Sequence, residues 1–377
     1  MNRWKVPQIK PCCSRHRYFY VLDKLNTTVV KRLDHRRLFK IVLLSLLVTS
    51  NGVLTAGTLA HYAPGVYNIR DFYVPDPGFY TLLYAPYYHT HQYKDSNGNT
   101  TNFVSGPARS GRLVTLALST DIDVATINPT FMWVSPWKIP GDGKFSAYVA
   151  PSFGNSSVSS SLETASGRDV SSTHSQFAIG DLFAQPVWLG WTKSHWDLSA
   201  AYGFYAPTGK FSTDGTTLRL SGLQVTGIAT NNVGLGFWEN QFQGAAAWYP
   251  WEDKRTAISV AGTYEISAGQ QGTGITPGSD FTMNWGISQY VPLRSNKTLL
   301  LEIGPAGYCE WQTSYDHGSG VDPDNNPLSK IYAGGGQIGL TYVPWKAFLN
   351  VLYYEEFGAV ARFQGQMLSV SVGKKIF

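Results

Sequence analysis

Charged residues, cysteine and long apolar runs are all scarce in this sequence. Asp, Glu, Lys and Arg make up 15% of the 377 residues, whereas roughly a quarter is usual. Only Cys309 lies beyond residue 60, and Cys-X-X-Cys is absent, so the body of the chain offers neither an intrachain disulfide nor a thiolate metal site. No apolar run of about eighteen residues follows residue 60, so no transmembrane helix is expected there.

Motifs of catalysis and cofactor binding are also missing. The sequence contains no GxSxG, no HExxH and no phosphate-binding loop. His89 and His91 are two residues apart, but no carboxylate or thiol lies near them in sequence to complete a metal site. We therefore predict no catalytic residue, no metal and no cofactor.

The positive charge is confined to the beginning of the chain. Residues 1–60 contain 11 Lys and Arg against 2 Asp and Glu, which leaves 19 against 23 for residues 61–377. The main body is therefore slightly acidic, and we predict no nucleic-acid partner.

Residues 1–60 have the three parts of an export signal. A basic cluster (Lys31, Arg32, Arg36, Arg37 and Lys40) precedes the apolar run 41–48, and the small residues Ala56 and Ala60 follow. We expect cleavage near Ala60, with Ala56 as the other candidate. An uncleaved membrane anchor is the alternative, although its polar residues weaken it: Ser45, Thr49, Ser50 and Asn51.

Aromatic residues (14%) and glycine (38 residues) are abundant, and apolar residues alternate with polar ones over many segments. In 281–288, Phe281, Met283, Trp285 and Ile287 alternate with polar or small residues. A period of two is typical of β-strands with two different faces. Several such segments reach twelve residues or more, whereas about nine to eleven suffice for a tilted strand to cross a bilayer.

The connections between these segments alternate between short and long, as expected for an outer-membrane β-barrel. Short turns occur near 193–194, 250–254, 292–296 and 344–345, and long loops at 153–180, 207–235, 268–279 and 312–328. We predict an all-β fold, an antiparallel transmembrane β-barrel over residues 78–377. Twelve strands are expected, or fourteen if 111–120 pairs with a further strand. The twelve are 78–88, 122–135, 145–152, 181–192, 195–206, 236–249, 255–267, 280–291, 297–311, 329–343, 346–357 and 366–377.

Strand parity also predicts which side chains face the lumen. The candidates for substrate binding are Glu265, Asn284, Glu302, Gln337, Asn350 and Glu356, and the alternative is that these groups only solvate the interior. Tryptophans cluster near strand ends, as in the aromatic girdles of barrels. Residues 61–77 contain three prolines, so we expect a plug folded into the lumen or a periplasmic tail rather than a strand.

Five segments carry a family resemblance: 61–80, 180–191, 201–211, 237–257 and 276–281. Together they resemble the outer-membrane family named for the meta-pathway (MetA) of phenol degradation, which is distantly similar to transporters of long-chain fatty acids and aromatic hydrocarbons. The resemblance implies a β-barrel and a transport role, and it implies no catalytic residue. The terminal Phe377 is similar to the aromatic signal used by the barrel-assembly machinery, although its phase differs from that of Leu368 and Val370.

These observations predict a channel in the outer membrane of a Gram-negative bacterium, surrounded by outer-membrane lipids and inserted by the barrel-assembly machinery. We expect it to admit hydrophobic or aromatic small molecules passively. One alternative is a closed structural or adhesive barrel that acts through its outer loops. Another is an outer-membrane lipid hydrolase, for which Ser194, His195 and Ser199 are the candidate residues.

Overall fold

The computed structural model describes residues 60–108, 111–228 and 231–377, with backbone alone at residues 107, 216 and 226–228. The predicted export signal therefore lies outside the described residues, apart from Ala60. Within the described ranges, no helix is long and apolar enough to cross a membrane.

The described chain consists of antiparallel strands and two single-turn 3₁₀-helices, at Pro140–Asp142 and Val343–Trp345. The strands are β1 (Gly78–Lys94), β2 (Phe103–Pro107), β3 (Leu113–Ile139), β4 (Gly143–Ala150), β5 (Phe153–Glu163), β6 (Asp169–Ile179), β7 (Leu182–Thr192), β8 (Trp196–Ala206), β9 (Thr216–Leu220), β10 (Leu223–Ile228), β11 (Glu239–Trp248), β12 (Thr256–Ser267), β13 (Asp280–Pro292), β14 (Leu299–Gln312), β15 (Lys330–Tyr342), β16 (Ala347–Val360) and β17 (Arg362–Lys375).

These strands form a closed twelve-strand barrel, as predicted. The ring closes because β1 pairs with β17 on one side and with β3 on the other. Strands β4 and β5 both pair with β3 in one continuous register, and β6 and β7 lie beside them, so each pair occupies one position in the ring. The fourteen-strand alternative is wrong because residues from Leu113 to 120 are the beginning of β3, which adds length and not a further strand.

The prediction of a loop at 153–180 is also wrong. Residues 153–179 form the hairpin β5–β6, which continues the barrel wall at the long-loop end. There it extends beyond the first residue of β7 and the last residue of β8. Val158 and Leu162 alternate with serines in β5 and supply its buried face. Leu162 packs with Leu116 of β3 and with Leu218 and Leu223 of the hairpin β9–β10. This apolar cluster gives the serine-rich hairpin a core of its own.

Burial in the barrel is the inverse of burial in a soluble sandwich. On β12, Glu265 is 1% exposed while Val260 is 43% exposed. The same inversion occurs on the other strands: the outward apolar side chains include Ile258, Trp285, Ile287, Ile303, Ile338, Leu340, Leu349, Leu368 and Val372. An apolar exterior over a polar interior is the arrangement expected when lipid surrounds the barrel.

The two ends of the barrel differ as predicted from loop parity. One end carries the short connections 140–142, 193–195, 249–255, 293–298 and 343–346, and the other carries β2, the hairpin β9–β10 and loops 268–279 and 313–329. Two turns at the long-loop end are short: residues 164–168 between β5 and β6, and Ala361, with φ 55°, between β16 and β17. Several exposed tryptophans surround the short-turn end: Trp137, Trp196, Trp248, Trp251 and Trp345.

If lipid surrounds the outward apolar side chains, the free-energy cost of a charged side chain there should depend on its depth in the membrane. Val260→Arg, near the middle of β12, should lower the free energy of unfolding in lipid vesicles by about 2–4 kcal/mol. Ile266→Arg, on the same face at the end of β12, should cost about 1 kcal/mol or less. Urea titration of the two variants checks this, and an equal cost at both positions would contradict a membrane position for β12.

Candidate functional site: the lumen and residues 61–77

Residues 61–77, which we term the luminal segment, lie along the inside of the barrel. His61 contacts Asp181 and Glu239, just before or at the start of β7 and β11, at the long-loop end. Asp76 pairs with Lys144, which lies at the start of β4 at the short-turn end. The segment therefore runs from one end of the lumen to the other before it enters β1.

The first contact is a buried cluster of charge around His61. Its Nδ1 lies 2.7 Å from Glu239 Oε2 and its Nε2 lies 2.8 Å from Asp181 Oδ2, and all three side chains are almost fully buried. Burial lowers the pKa of His61, but hydrogen bonds and charge from Asp181 and Glu239 outweigh it, so the pKa is raised. The imidazolium form, with a hydrogen on each nitrogen, matches carboxylate oxygens on both sides.

The next part of the segment has no strand partner, and side chains of the barrel satisfy its backbone. The backbone N–H of Tyr62 donates to Glu265 Oε1 at 2.9 Å, and that of Gly65 donates to Asn284 Oδ1 at 3.2 Å. The N–H of Ile69 donates to Gln337 Oε1 at 2.9 Å. Three of the predicted lumen residues thus act as acceptors for backbone donors that burial would otherwise leave unpaired.

Arg70 connects the segment to the short-turn end. Its Nε donates to Ser288 Oγ at 2.7 Å and to Glu302 Oε1 at 3.2 Å, and its Nη1 donates to the carbonyl oxygen of Lys254 at 3.0 Å. The guanidinium also lies 4.2 Å from the ring centroid of Tyr290. The buried Glu302, another predicted lumen residue, is therefore the counter-ion of Arg70.

Asp71 stabilises the turn that follows. Its Oδ2 accepts hydrogen bonds from the backbone N–H and side-chain Nδ2 of Asn68 and from the Tyr84 hydroxyl. Asn68 in turn donates to Ser371 Oγ of β17 at 3.0 Å, so the turn is tied to the closing strand.

The other two predicted lumen residues are buried, and among the described residues neither forms a hydrogen bond with the segment. Glu356 accepts hydrogen bonds from the hydroxyls of Tyr88 and Tyr308 and from the Gly365 N–H, all within the wall. Asn350 lies against the wall at Gly339, and no partner is found for its Oδ1 in the described residues. Their part in substrate binding remains a prediction, as it does for the other four.

Apolar side chains of the segment pack against the wall at positions where the wall has glycine or alanine. A Cβ at Gly286 would lie 2.6 Å from Ile69, and a Cβ at Gly190 would lie 2.6 Å from Val74. Glycine at these wall positions leaves the volume that the segment fills. Phe72 packs in the same way against Ala245 and Ala261.

A cavity of about 210 Å³ remains between the luminal segment and the wall formed by β1, β3, β4 and β7. Its lining is largely aromatic: Tyr67, Phe72, Tyr73, Tyr80, Tyr84, Tyr148, Trp188 and Phe348. The polar residues of the lining are Arg70, Asp71, Thr130, Gln185 and Gln243, with Lys346 and Lys374 towards the short turns. Trp188 is 6% exposed, and its indole N–H is without a partner in the described part of the chain.

The wall beside this cavity is irregular at Pro186. The register between β4 and β7 shifts by one residue between Gln185 and Trp188, and the register between β7 and β8 shifts between Ala184 and Val187. Both shifts place one extra residue on β7, which makes Pro186 part of a β-bulge. Proline has no N–H to donate to the neighbouring strand, so the wall lacks a backbone hydrogen bond close to Trp188.

The candidate residues for a hydrolase are engaged elsewhere. Ser199 Oγ donates to the carbonyl oxygen of Phe72 at 2.6 Å, and His195 Nδ1 donates to that of Tyr249 at 2.8 Å. No hydrogen bond joins Ser194 to His195 in the part of the chain that the structure describes.

Sequence reasoning missed Arg70, Asp181, Glu239 and Trp188 as parts of this site. His61 lies 120 residues from Asp181 and 178 from Glu239 in sequence. No local pattern pairs residues at such separations. Within 61–77 the sequence alone offers a mixture of aromatic and charged residues, which does not identify their partners in the wall.

Removal of the Arg70 charge should destabilise the luminal segment. Arg70→Met leaves Glu302 buried without its counter-ion, so the free energy of unfolding should fall by about 3–5 kcal/mol. Adding Glu302→Gln should recover part of this loss, because no unpaired charge then remains. Lys138→Met, which breaks an exposed pair with Asp142, is the control and should change nothing measurable. An equally small effect of Arg70→Met would contradict the assigned ion pair.

Comparisons with known proteins agree with this architecture. The sequence model of the family described as "Putative MetA-pathway of phenol degradation" matches residues 90–372, so the segment 61–80 lies outside the match. The COG4313 outer membrane channel from Pseudomonas putida F1 is 12% identical and superposes with a TM-score of 0.52 over 83% of this chain and 99% of that one. A FadL homologue from Pseudomonas aeruginosa is also 12% identical, with a TM-score of 0.33 over 80% of this chain and 90% of that one.

No curated protein sequence matches this chain. The likeness to solved structures concerns the fold, whereas the family match extends over three quarters of the sequence. A closed twelve-strand barrel with an apolar exterior is a protein of the Gram-negative outer membrane. The chain belongs to the outer-membrane β-barrel family of the MetA pathway of phenol degradation.

Proposed function

We propose that this barrel is a passive channel that admits hydrophobic or aromatic small molecules through the outer membrane. The observation that carries the proposal is the aromatic cavity of about 210 Å³ inside the barrel. Binding sites for small molecules are concave and mostly apolar, with few polar groups to set orientation. Eight of the residues that line the cavity are aromatic, which suits stacking against the ring of an aromatic compound.

In this proposal the luminal segment is a plug that keeps the channel closed to polar solutes. Glu265, Asn284, Glu302 and Gln337 bind the segment, and they are not free to line an open water-filled pore. A solute entering from the long-loop end must therefore pass beside the segment. The plug explains how a barrel could admit small apolar compounds without leaking ions.

The proposed exit is sideways through the wall at the Pro186 bulge. Gln185 and Trp188 line the cavity, while Pro186 and Val187 between them face outwards. At this point of the wall, the bulge lies between the cavity and the outside of the barrel. A ring compound that leaves here would not need to displace the whole luminal segment.

Regularising β7 should slow uptake. Deleting Pro186 removes the extra residue and restores continuous pairing with β4 and β8, so the initial uptake rate of labelled toluene by intact cells should fall severalfold. Pro186→Ala keeps the extra residue and is the matched control, which should retain most of the rate. Both variants must shift on unboiled gels as folded barrels do. An unchanged rate in the deletion variant would refute the lateral route.

The channel itself is tested by deleting the gene and restoring it. Cells that lack the protein should take up toluene more slowly, with unchanged cytoplasmic breakdown, and the intact gene should restore the rate. Trp188→Ala should change the rate for ring compounds while leaving that for glycerol unchanged. Uptake that does not depend on the gene would overturn the transport proposal.

A second candidate function is adhesion through the hairpin β5–β6. Its outward face carries hydroxyl pairs across the strands, such as Ser159 beside Thr173, and it extends beyond the adjacent barrel wall. Replacing 156–176 by a short turn should abolish surface attachment if adhesion is the function, and should leave toluene uptake intact if transport is the function.

A hydrolase has less support, because Ser199 and His195 are hydrogen-bonded to backbone carbonyl groups. We therefore expect the purified barrel not to hydrolyse phospholipid.

A further inference from the structure

The backbone nitrogen of His61 lies in a buried acidic cluster. It donates to Glu239 Oε2 at 2.8 Å, the same oxygen that lies 2.7 Å from His61 Nδ1. Asp181 lies on the other side of the ring, and Glu265 accepts the next backbone N–H, that of Tyr62. Three buried carboxyl groups thus surround the first residues of the luminal segment.

The cluster has too little positive charge for its carboxylates. Among the described residues, the ion pairs of Asp181 and Glu239 involve only His61, and none involves Glu265. Burying a carboxylate without a cation is costly, and the cost falls sharply when a second cation is hydrogen-bonded to it. The atom best placed to carry that charge is the nitrogen of His61, which already points at Glu239.

That nitrogen becomes a cation if the chain begins at His61. Ala60 is small and closes the sequence Thr58-Leu59-Ala60, which suits the site of an export-signal peptidase. Cleavage after Ala56 would instead leave four residues ahead of His61, and its nitrogen would remain an uncharged amide. The two candidate sites therefore differ in the charge they place beside Glu239.

We propose that the chain is cut between Ala60 and His61, and that the new α-ammonium group of His61 forms a buried ion pair with Glu239 inside the lumen. An export-signal peptidase hydrolyses the Ala60–His61 bond with one water molecule. The carboxylate remains on Ala60, and the amine of His61 takes up a proton. The cut precedes folding, so burial of the site in the finished barrel is no obstacle. This inference does not depend on the transport proposal.

The cleavage site is tested by the masses of two proteins purified from outer membranes. If Ala60 is removed, the mature Ala60→Gly variant has the same mass as the wild type. If cleavage occurs after Ala56 or not at all, the variant is lighter by one methylene group. N-terminal sequencing should give His61 in both proteins. A difference of one methylene, or a different first residue, would overturn the proposal.

The ion pair is tested by moving the amine. Inserting Gly-Ser after Ala60 keeps a signal and a free amine but turns the His61 nitrogen into an amide. We expect Glu239→Gln to lower the temperature of barrel unfolding by several degrees in the wild-type background and by clearly less in the insertion background. Equal losses in both would show that Glu239 pairs with the imidazole alone, and that part of the proposal would fall. Ser267→Ala removes only the hydroxyl donor to Glu239 and is the control, with the same loss in either background.

Discussion

Inside a closed barrel, a chain segment without a strand partner must find another partner for every buried N–H and C=O group. The luminal segment contains Pro64, Pro75 and Pro77 and pairs with no strand. Its amides are satisfied instead by Glu265, Asn284 and Gln337 of the wall, at 2.9–3.2 Å. Four polar residues of the barrel interior, Glu265, Asn284, Glu302 and Gln337, therefore hold the luminal segment in place. Charge, turn and packing along residues 61–77 follow from this requirement.

The wall could be predicted from the sequence because its signal is local. Alternation in β12 and β13 defines both faces of those strands without any distant information, and loop parity orders the strands around the ring. The serine-rich hairpin β5–β6 was missed because its core is completed by Leu218 and Leu223 of a different hairpin. Serine and glycine there resemble loop composition until that distant apolar partner is known.

The site could be predicted only in part, because local sequence patterns do not reveal contacts between residues far apart in the chain. Parity placed Glu265 and Glu302 on the inner face, and both are buried there. Parity could not show that they face Tyr62 and Arg70, because these contacts join residues about two hundred positions apart. At Pro186, the missing N–H donor follows from the residue type alone, whereas the cavity behind it depends on how Phe72 and Tyr148 pack in the lumen.

The direct connection of the luminal segment to β1 has a consequence for how the protein is made. β1 pairs with β17, so the first and last strands meet at the seam that closes the ring. The side chain of Asn68 donates a hydrogen bond to Ser371 on that last strand. Closure of the ring and docking of the luminal segment therefore share this contact, so the two processes are energetically coupled when the barrel assembles, whichever comes first.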